Sequence, residues 1–215
     1  MAKSFKCTDP KDWLNCLRKV DAKDILTKHL DIFPIIGTEF LPLDAQHSFA
    51  THNYSADIDI MAGVMRNEGS MLAHMMYPAS DGLKSKQDFV DLVKKVTIPD
   101  LDADKIVDFY LHDSTENSTK HAFWEFFGDL GITCPTYHFA KQFAQNSPNK
   151  EVYFYDWTQP ALILGPIMGC TTEMGVCHAA DIEYVFGMGV LMKLEHQEFS
   201  ESVMKMWTNF AKTGY

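Results

Sequence analysis

Histidine is the side chain whose ordinary pKa lies nearest neutrality, so a histidine in a loop beside an apolar run is a candidate general base. His178 is such a residue. It lies in Gly175-Val176-Cys177-His178-Ala179-Ala180-Asp181-Ile182-Glu183-Tyr184-Val185-Phe186-Gly187, just after an expected passage from strand to loop. Upstream, Gly63-Val64-Met65-Arg66-Asn67-Glu68-Gly69-Ser70 puts a carboxylate, Glu68, a few residues past an expected strand. At that edge of an α/β sheet a carboxylate can orient an imidazole and stabilise its charged form. The two make two-thirds of a catalytic triad. The nucleophile has no counterpart: the elbow Gly-x-Ser-x-Gly does not occur, and Ser70 lacks the second glycine. Cys177 adjoins His178, but neighbours on an extended backbone point to opposite faces. Each residue also has a bland reading. Glu68 could simply start a helix, and His178, one of nine histidines, could be packed or on the surface. Asp181 and Glu183 read as an exposed strand face or helix start rather than a second acid pair. No His-x-x-x-His spacing points to a metal, and neither metal nor cofactor is expected.

Positioning such residues requires a sheet and its covering helices. Asp57–Met65 alternates in the manner of a strand, its far face also apolar, as in a sheet buried on both sides. Glu151–Trp157 reads as a second strand. Helical spacing marks Lys86–Val96, Leu101–His112, His121–Leu130 and Thr136–Gln145. The closing segment Gln197–Lys212 is amphipathic, with Phe199, Val203, Met206, Trp207 and Phe210 on one side. Near the start, Asp9-Pro10 heads a helix over Lys11–Val20, and Asp21 caps another over Asp21–Leu30. Phe33–Leu41, broken by Gly37, reads as a short extended loop or hairpin. Strands separated by long helical stretches indicate an α/β architecture. Two strands are too few for so many helices, so the expected object is a single domain, or part of one, whose sheet lies mostly elsewhere.

The 215 residues are 46% apolar and 22% charged, a globular composition. A net charge of −10 argues against nucleic acid, which needs a basic face. No apolar run reaches the roughly 18 residues of a membrane span. Asn53-Tyr54-Ser55 and Asn117-Ser118-Thr119 match the glycosylation acceptor pattern and point toward the secretory pathway. Five cysteines are present. Closing a Cys7–Cys16 loop would contribute roughly 2.5–3 kcal/mol in the chain-entropy account. Among Cys134, Cys170 and Cys177 at most two can then pair. The alternatives are a partner outside the chain, a free thiol, or three small buried apolar residues.

These motifs, in this order, resemble the C-terminal half of the type-B carboxylesterase/cholinesterase family of α/β-hydrolases. Cys7 with Cys16-Leu17-Arg18 is similar to the family's short disulfide loop. Phe33-Pro34-Ile35-Ile36 through Glu39-Phe40-Leu41-Pro42 resembles its Pro-Val-x-Asp-Gly-x-Phe-Leu-Pro segment. The Glu68 turn resembles the one that carries the triad acid, and the His178 block the one that carries the triad histidine. Cys134-Pro135 looks like the first half of a second family disulfide. Trp207-Thr208-Asn209-Phe210-Ala211-Lys212-Thr213-Gly214 resembles the C-terminal helix motif.

The resemblance implies that residues 1–215 are the C-terminal portion of one carboxylesterase-type domain. Glu68 would orient His178, and His178 would activate a serine in an elbow absent from this stretch. The chain by itself would then be inactive, the partner of Cys134 would lie beyond Tyr215, and the Cys7–Cys16 disulfide would form. The implied substrate is a small carboxylic ester. Met71 and Leu72 stand where cholinesterases have aromatics, so an apolar pocket without choline selectivity is expected. Ala179 replaces the family's usual glycine after the histidine. The competing reading is a noncatalytic, neuroligin-type adhesion or binding protein; Glu68 and His178, both retained, favour the enzyme.

Overall fold

The computed structural model describes residues 2–28, 34–97, 101–113, 118–188 and 196–215. Its backbone divides into two compact units, Met1–Ser48 and Phe49–Tyr215. In the first, a disulfide joins Cys7 to Cys16. The helix expected over Lys11–Val20 contracts to α1, Trp13–Leu17. Asp9 caps a turn instead, its carboxylate accepting from the Lys11 N–H at 2.9 Å. α2 covers Ala22–Lys28, with Asp21 accepting from the Lys23 N–H at 2.8 Å as an N-cap does. In the Gly37 region the Gly37 N–H donates to the Leu41 carbonyl at 2.8 Å, closing a turn. Phe33 lies outside the described residues.

The second unit is built on two parallel strands, β1 (Ile60–Met65) and β2 (Val152–Trp157), paired in register from Ile60 with Val152 to Met65 with Trp157. Parallel neighbours need a long crossover. Here it consists of α3 (Glu68–Met76), α4 (Lys86–Val96), α5 (Ala103–Asp113), α6 (Thr119–Gly128) and α7 (Cys134–Asn146). A single π-helical turn, Asp129–Thr133, joins α6 to α7. The helices form because their apolar residues recur on one face. α4 buries Phe89, Val90, Leu92 and Val93. It starts at a reciprocal cap, Ser85 accepting from the Asp88 N–H while Asp88 accepts from the Ser85 N–H. These residues join Val107, Ala122, Phe123, Trp124 and Phe126 in one core. Among the described residues, β2 is followed by the short helices α8 (Leu164–Ile167) and α9 (Ile182–Val185) and the long α10 (Gln197–Thr213).

A second core gathers Met65, Trp157, Val176, Ala180, Tyr184 and Val203. α10 presents most of its expected face to it and to β2. Phe199 packs on Trp157 and Tyr184, Trp207 on Tyr155 and Trp157, and Phe210 on Tyr153. Met206 departs from the expected stripe and is 54% exposed.

α3 and α6 approach so closely at Gly69 and Gly128 that a side chain on Gly69 would overlap the Trp124 carbonyl and the Gly128 backbone. This contact seats the helix that begins with Glu68. Gly69→Ala is expected to destabilise the fold by about 3 kcal/mol, since rigid backbone must move to admit the methyl. Gly131→Ala, where an added methyl meets nothing within 4 Å, should be neutral or stabilising. Urea midpoints of the two variants check this.

Candidate functional site

Beyond the end of β1 the chain keeps pairing. The Arg66 N–H donates to the Trp157 carbonyl and the Asn67 N–H to the Val176 carbonyl, each at 3.0 Å. Asn67 Oδ1 accepts from the Val176 N–H at 2.9 Å, so the two residues clasp each other through both backbone groups of Val176. Gly175 makes this possible: its φ is +74°, and a Cβ there would overlap Asn67 Oδ1. The adjoining residues then insert on different sides, Val176 and Ala180 into the core beneath α10, Met174 and Cys177 into the core of the crossover helices. The segment carrying His178 is thus held in register by both cores.

Glu68 is the first residue of α3 and is only 4% exposed. A carboxylate is favoured there by the unpaired amides at a helix start. Oε1 accepts from the Met65 N–H at 2.7 Å and Oε2 from His178 Nδ1 at 2.6 Å. A carboxylate can only accept, so Nδ1 carries the proton and Nε2 is left as the basic nitrogen. The His178 side chain keeps 40% exposure against 3% for Glu68, which leaves the imidazole accessible to a reactant while its orienting partner stays dry. The hydrogen bond to Glu68 raises the His178 pKa above its ordinary value. Burial opposes this, and the charges of Glu68 and Asp181 reinforce it. Asp181 in turn accepts from Tyr155 Oη at 3.0 Å, and burial, with Asp181 next, pushes the Tyr155 pKa upward and keeps the phenol a donor. The arrangement can take a proton at Nε2 and stabilise the resulting imidazolium.

The expected residues fall as follows. Glu68 and His178, 110 positions apart, are in contact. Ser70 is buried at 2% and donates to the Asn67 carbonyl at 2.9 Å. Cys177 is bonded to Cys170, and Cys134 is an exposed free thiol. Met71 shares an apolar wall with His178, Ala161, Leu164, Met168 and Ala180. Leu72 is half-buried and is not in that wall. The cleft at the wall measures 10 Å³, room for one water at most. A larger cavity of 380 Å³ borders Glu68, Ser70, Trp124 and Asp129, and His178 does not line it. Asn53 is exposed, while Asn117 lies outside the described residues. Among the described residues, no three of His, Cys, Asp and Glu gather as metal ligands would, and no helix is long and apolar enough to cross a membrane.

Asp181 and Glu183 do stand at a helix start, Asp181 just before α9 and Glu183 in its first turn, but Glu183 is not an exposed acid. It is 3% exposed, and its carboxylate accepts from the Leu162, Ile163 and Leu164 N–H groups at 2.7, 2.9 and 3.0 Å. Those amides start α8, so a residue five positions past His178 fixes the loop that walls the site. Its spacing in the His178 block was the available signal, but nothing local distinguished it from a surface glutamate.

Comparison with known proteins supplies the context for this geometry. The profile of the carboxylesterase family matches residues 1–215. The chain belongs to that family. It is 24% identical over 242 residues to acetylcholinesterase of Bungarus fasciatus, covering 100% of this chain and 38% of that protein. It is 26% identical over 242 residues to cholinesterase of Mus musculus, covering 100% and 39%. Against bile salt-activated lipase of Homo sapiens the figures are 28% over 230 residues, 100% and 30%. The chain therefore spans between three and four tenths of the length of these relatives. Its parallel strand pair with covering helices is a partial α/β-hydrolase fold, as the family implies.

Ala179, standing where the resemblance expects glycine, has φ +70°. A left-handed alanine costs about 1–2 kcal/mol, and glycine loses about 0.5–1 kcal/mol more chain entropy on folding. Strain outweighs entropy, so Ala179→Gly should stabilise by about 0.5–1 kcal/mol in denaturant unfolding. The Glu68 contact makes a second expectation. NMR titration should place the His178 midpoint above about 6.5, its ordinary value, and Glu68→Gln should lower it. With the folded-state pKa raised, the stabilisation from protonated His178 is complete below about pH 6.5 and is lost as pH rises through the folded-state midpoint. Glu68→Gln should therefore cost most stability on the acidic side of that window.

Proposed function

We propose that this chain supplies the acid and base of a serine carboxylic-ester hydrolase. The observation that carries the reading is the 2.6 Å contact between the buried Glu68 carboxylate and Nδ1 of the half-exposed His178. In the proposed reaction Nε2 takes the proton of a serine hydroxyl as its oxygen attacks the ester carbonyl. It then returns that proton to the departing alkoxide, leaving an acyl-enzyme. Water enters, and the same nitrogen serves as base for deacylation. Glu68 holds the ring throughout.

The serine, in a Gly-x-Ser-x-Gly elbow, and much of the oxyanion hole belong to the protein outside these 215 residues. The stretch alone is inactive. The carboxylesterase profile over the whole chain supports this assignment, as does the likeness to a lipase and two cholinesterases by name.

The substrate is a small carboxylic ester with an apolar acyl or alcohol group, in keeping with the apolar Met71, Leu164 and Met168 wall beside His178, while the room for it comes from the protein outside these residues. The wall holds no aromatic face for a quaternary ammonium. Two disulfides and an exposed Asn53 in an acceptor pattern support a secreted glycoprotein.

A fluorophosphonate probe should label a single serine of the full-length protein. His178→Gln and Glu68→Gln should each lower kcat by about 10³–10⁴-fold with the fold intact. Absence of labelling in folded protein favours a noncatalytic, adhesion-type role. Selective hydrolysis of acetylthiocholine over simple alkyl esters overturns the substrate assignment. Peptide N-glycosidase should shift the mass of the secreted protein, and less so for Asn53→Gln.

A further inference from the structure

Cys177, the residue immediately before His178, is 3% exposed and bonded to Cys170. The bridge closes a loop that is also held by Glu173, paired with Lys120 and His121, and by Met174, buried in the core of the crossover helices. The Cys170 N–H donates to the Gly165 carbonyl at 2.8 Å, the Asn67 clasp holds Val176, and Ser70 Oγ lies 3.6 Å from Cys177 Sγ. From Gly165 the chain runs back to the three amides held by Glu183. His178 thus stands between two anchors on the same 162–170 segment: a covalent one at position 177 and a hydrogen-bonded one at position 183. The bridge also forms part of the apolar wall, with Met71, Leu164 and Met168 around it. Cys134, exposed and unpaired within these residues, has no part in this.

We propose that the Cys170–Cys177 bridge is a positioning element for His178, so that the site loses its catalytic geometry when a dithiol reductant opens the bridge. The chemistry is ordinary exchange. A dithiol's thiolate attacks Cys170 Sγ, the more exposed sulfur. The bond between the cysteine sulfurs breaks, and Cys177 leaves as a thiolate that takes up a proton. The reductant's second thiol then displaces Cys170, which is protonated in turn, and the reductant departs as a cyclic disulfide. Two protons and two electrons pass from the dithiol to the two cysteines. The released loop keeps the Asn67 clasp and the Glu183 hydrogen bonds to residues 162–164, but loses the covalent tie at the residue next to the imidazole. The imidazole is then no longer held to the few tenths of an ångström that proton transfer demands.

The activity readout rests on the hydrolase reading above; a chemical readout does not. In full-length protein, carbethoxylation of His178 by diethyl pyrocarbonate, followed by peptide mapping, reports how the ring is held. The groups facing that ring from the surrounding elements are Glu68 and Asp181, the latter bonded to Tyr155, and all are retained. Cys170→Ser should speed carbethoxylation of His178 severalfold. It should lower kcat for p-nitrophenyl butyrate at least about tenfold with KM little changed. Dithiothreitol should reproduce both effects in the unaltered protein and in the paired variant Cys7→Ser, Cys16→Ser, yet add nothing to Cys170→Ser. The paired variant excludes the Cys7–Cys16 disulfide, the lack of any added effect on Cys170→Ser excludes disulfides elsewhere in the protein, and reduction of folded protein answers the case in which Cys170→Ser fails to fold. Faster carbethoxylation in a protein with no esterase activity upholds the positioning role and sinks the hydrolase reading. Unchanged carbethoxylation and unchanged kcat after the bridge is opened overturn the proposal.

Discussion

A buried carboxylate has to be matched, because leaving water is costly for an unpaired charge. Glu68 meets that demand with two donors of different origin. The Met65 N–H comes from the end of its own strand, and His178 Nδ1 from a loop 110 residues later. The first bond is available as soon as the turn after β1 forms. The second exists only when β2, the 162–170 segment and the His178 loop are all in place. Much of the surrounding architecture supports that second bond: the Gly69–Gly128 approach seats α3, and the Asn67–Val176 clasp extends the parallel pairing of β1 and β2 onto the His178 loop.

The two cores divide this work. The aromatic-rich core of the crossover helices takes in Met71 from the α3 side and Cys177 from the histidine loop. The core beneath α10 takes in Val176 and Ala180 from that loop and Met65 from the end of β1. Each side of the acid–base pair is therefore tied to both cores. A shift of either core along the other would change the spacing of Glu68 and His178, which couples the packing of α10, far along the chain, to the geometry of the pair.

Much of the scaffold was legible in the sequence. Both strands, the helices over Lys86–Val96, Leu101–His112 and Gln197–Lys212, and the layer class follow from apolar spacing, and the structure keeps them to within a few residues. Local chemistry misled in a few places. Asp9-Pro10 has the form of a helix start, but Asp9 caps a turn and the helix waits for Trp13. Met206 has the period of a buried residue yet lies on the open side of α10. Glu183 has the composition of a surface acid yet is enclosed by three amides. For Glu183 the deciding factor was a set of neighbours about twenty positions away, to which periodicity is blind.

The sequence by itself determined the residue types able to carry acid–base chemistry, their order along the chain, the alternation of strands and helices, and the membership those motifs share with the carboxylesterase family. Only the tertiary structure decided that Glu68 places its two oxygens on Met65 and His178, that Cys177 pairs with Cys170 rather than Cys134, and that Ala179 adopts a left-handed backbone. The reason is physical. Propensity and spacing act over a turn or two of chain. Contacts between residues far apart in sequence are selected by which buried groups can satisfy one another once the cores have closed.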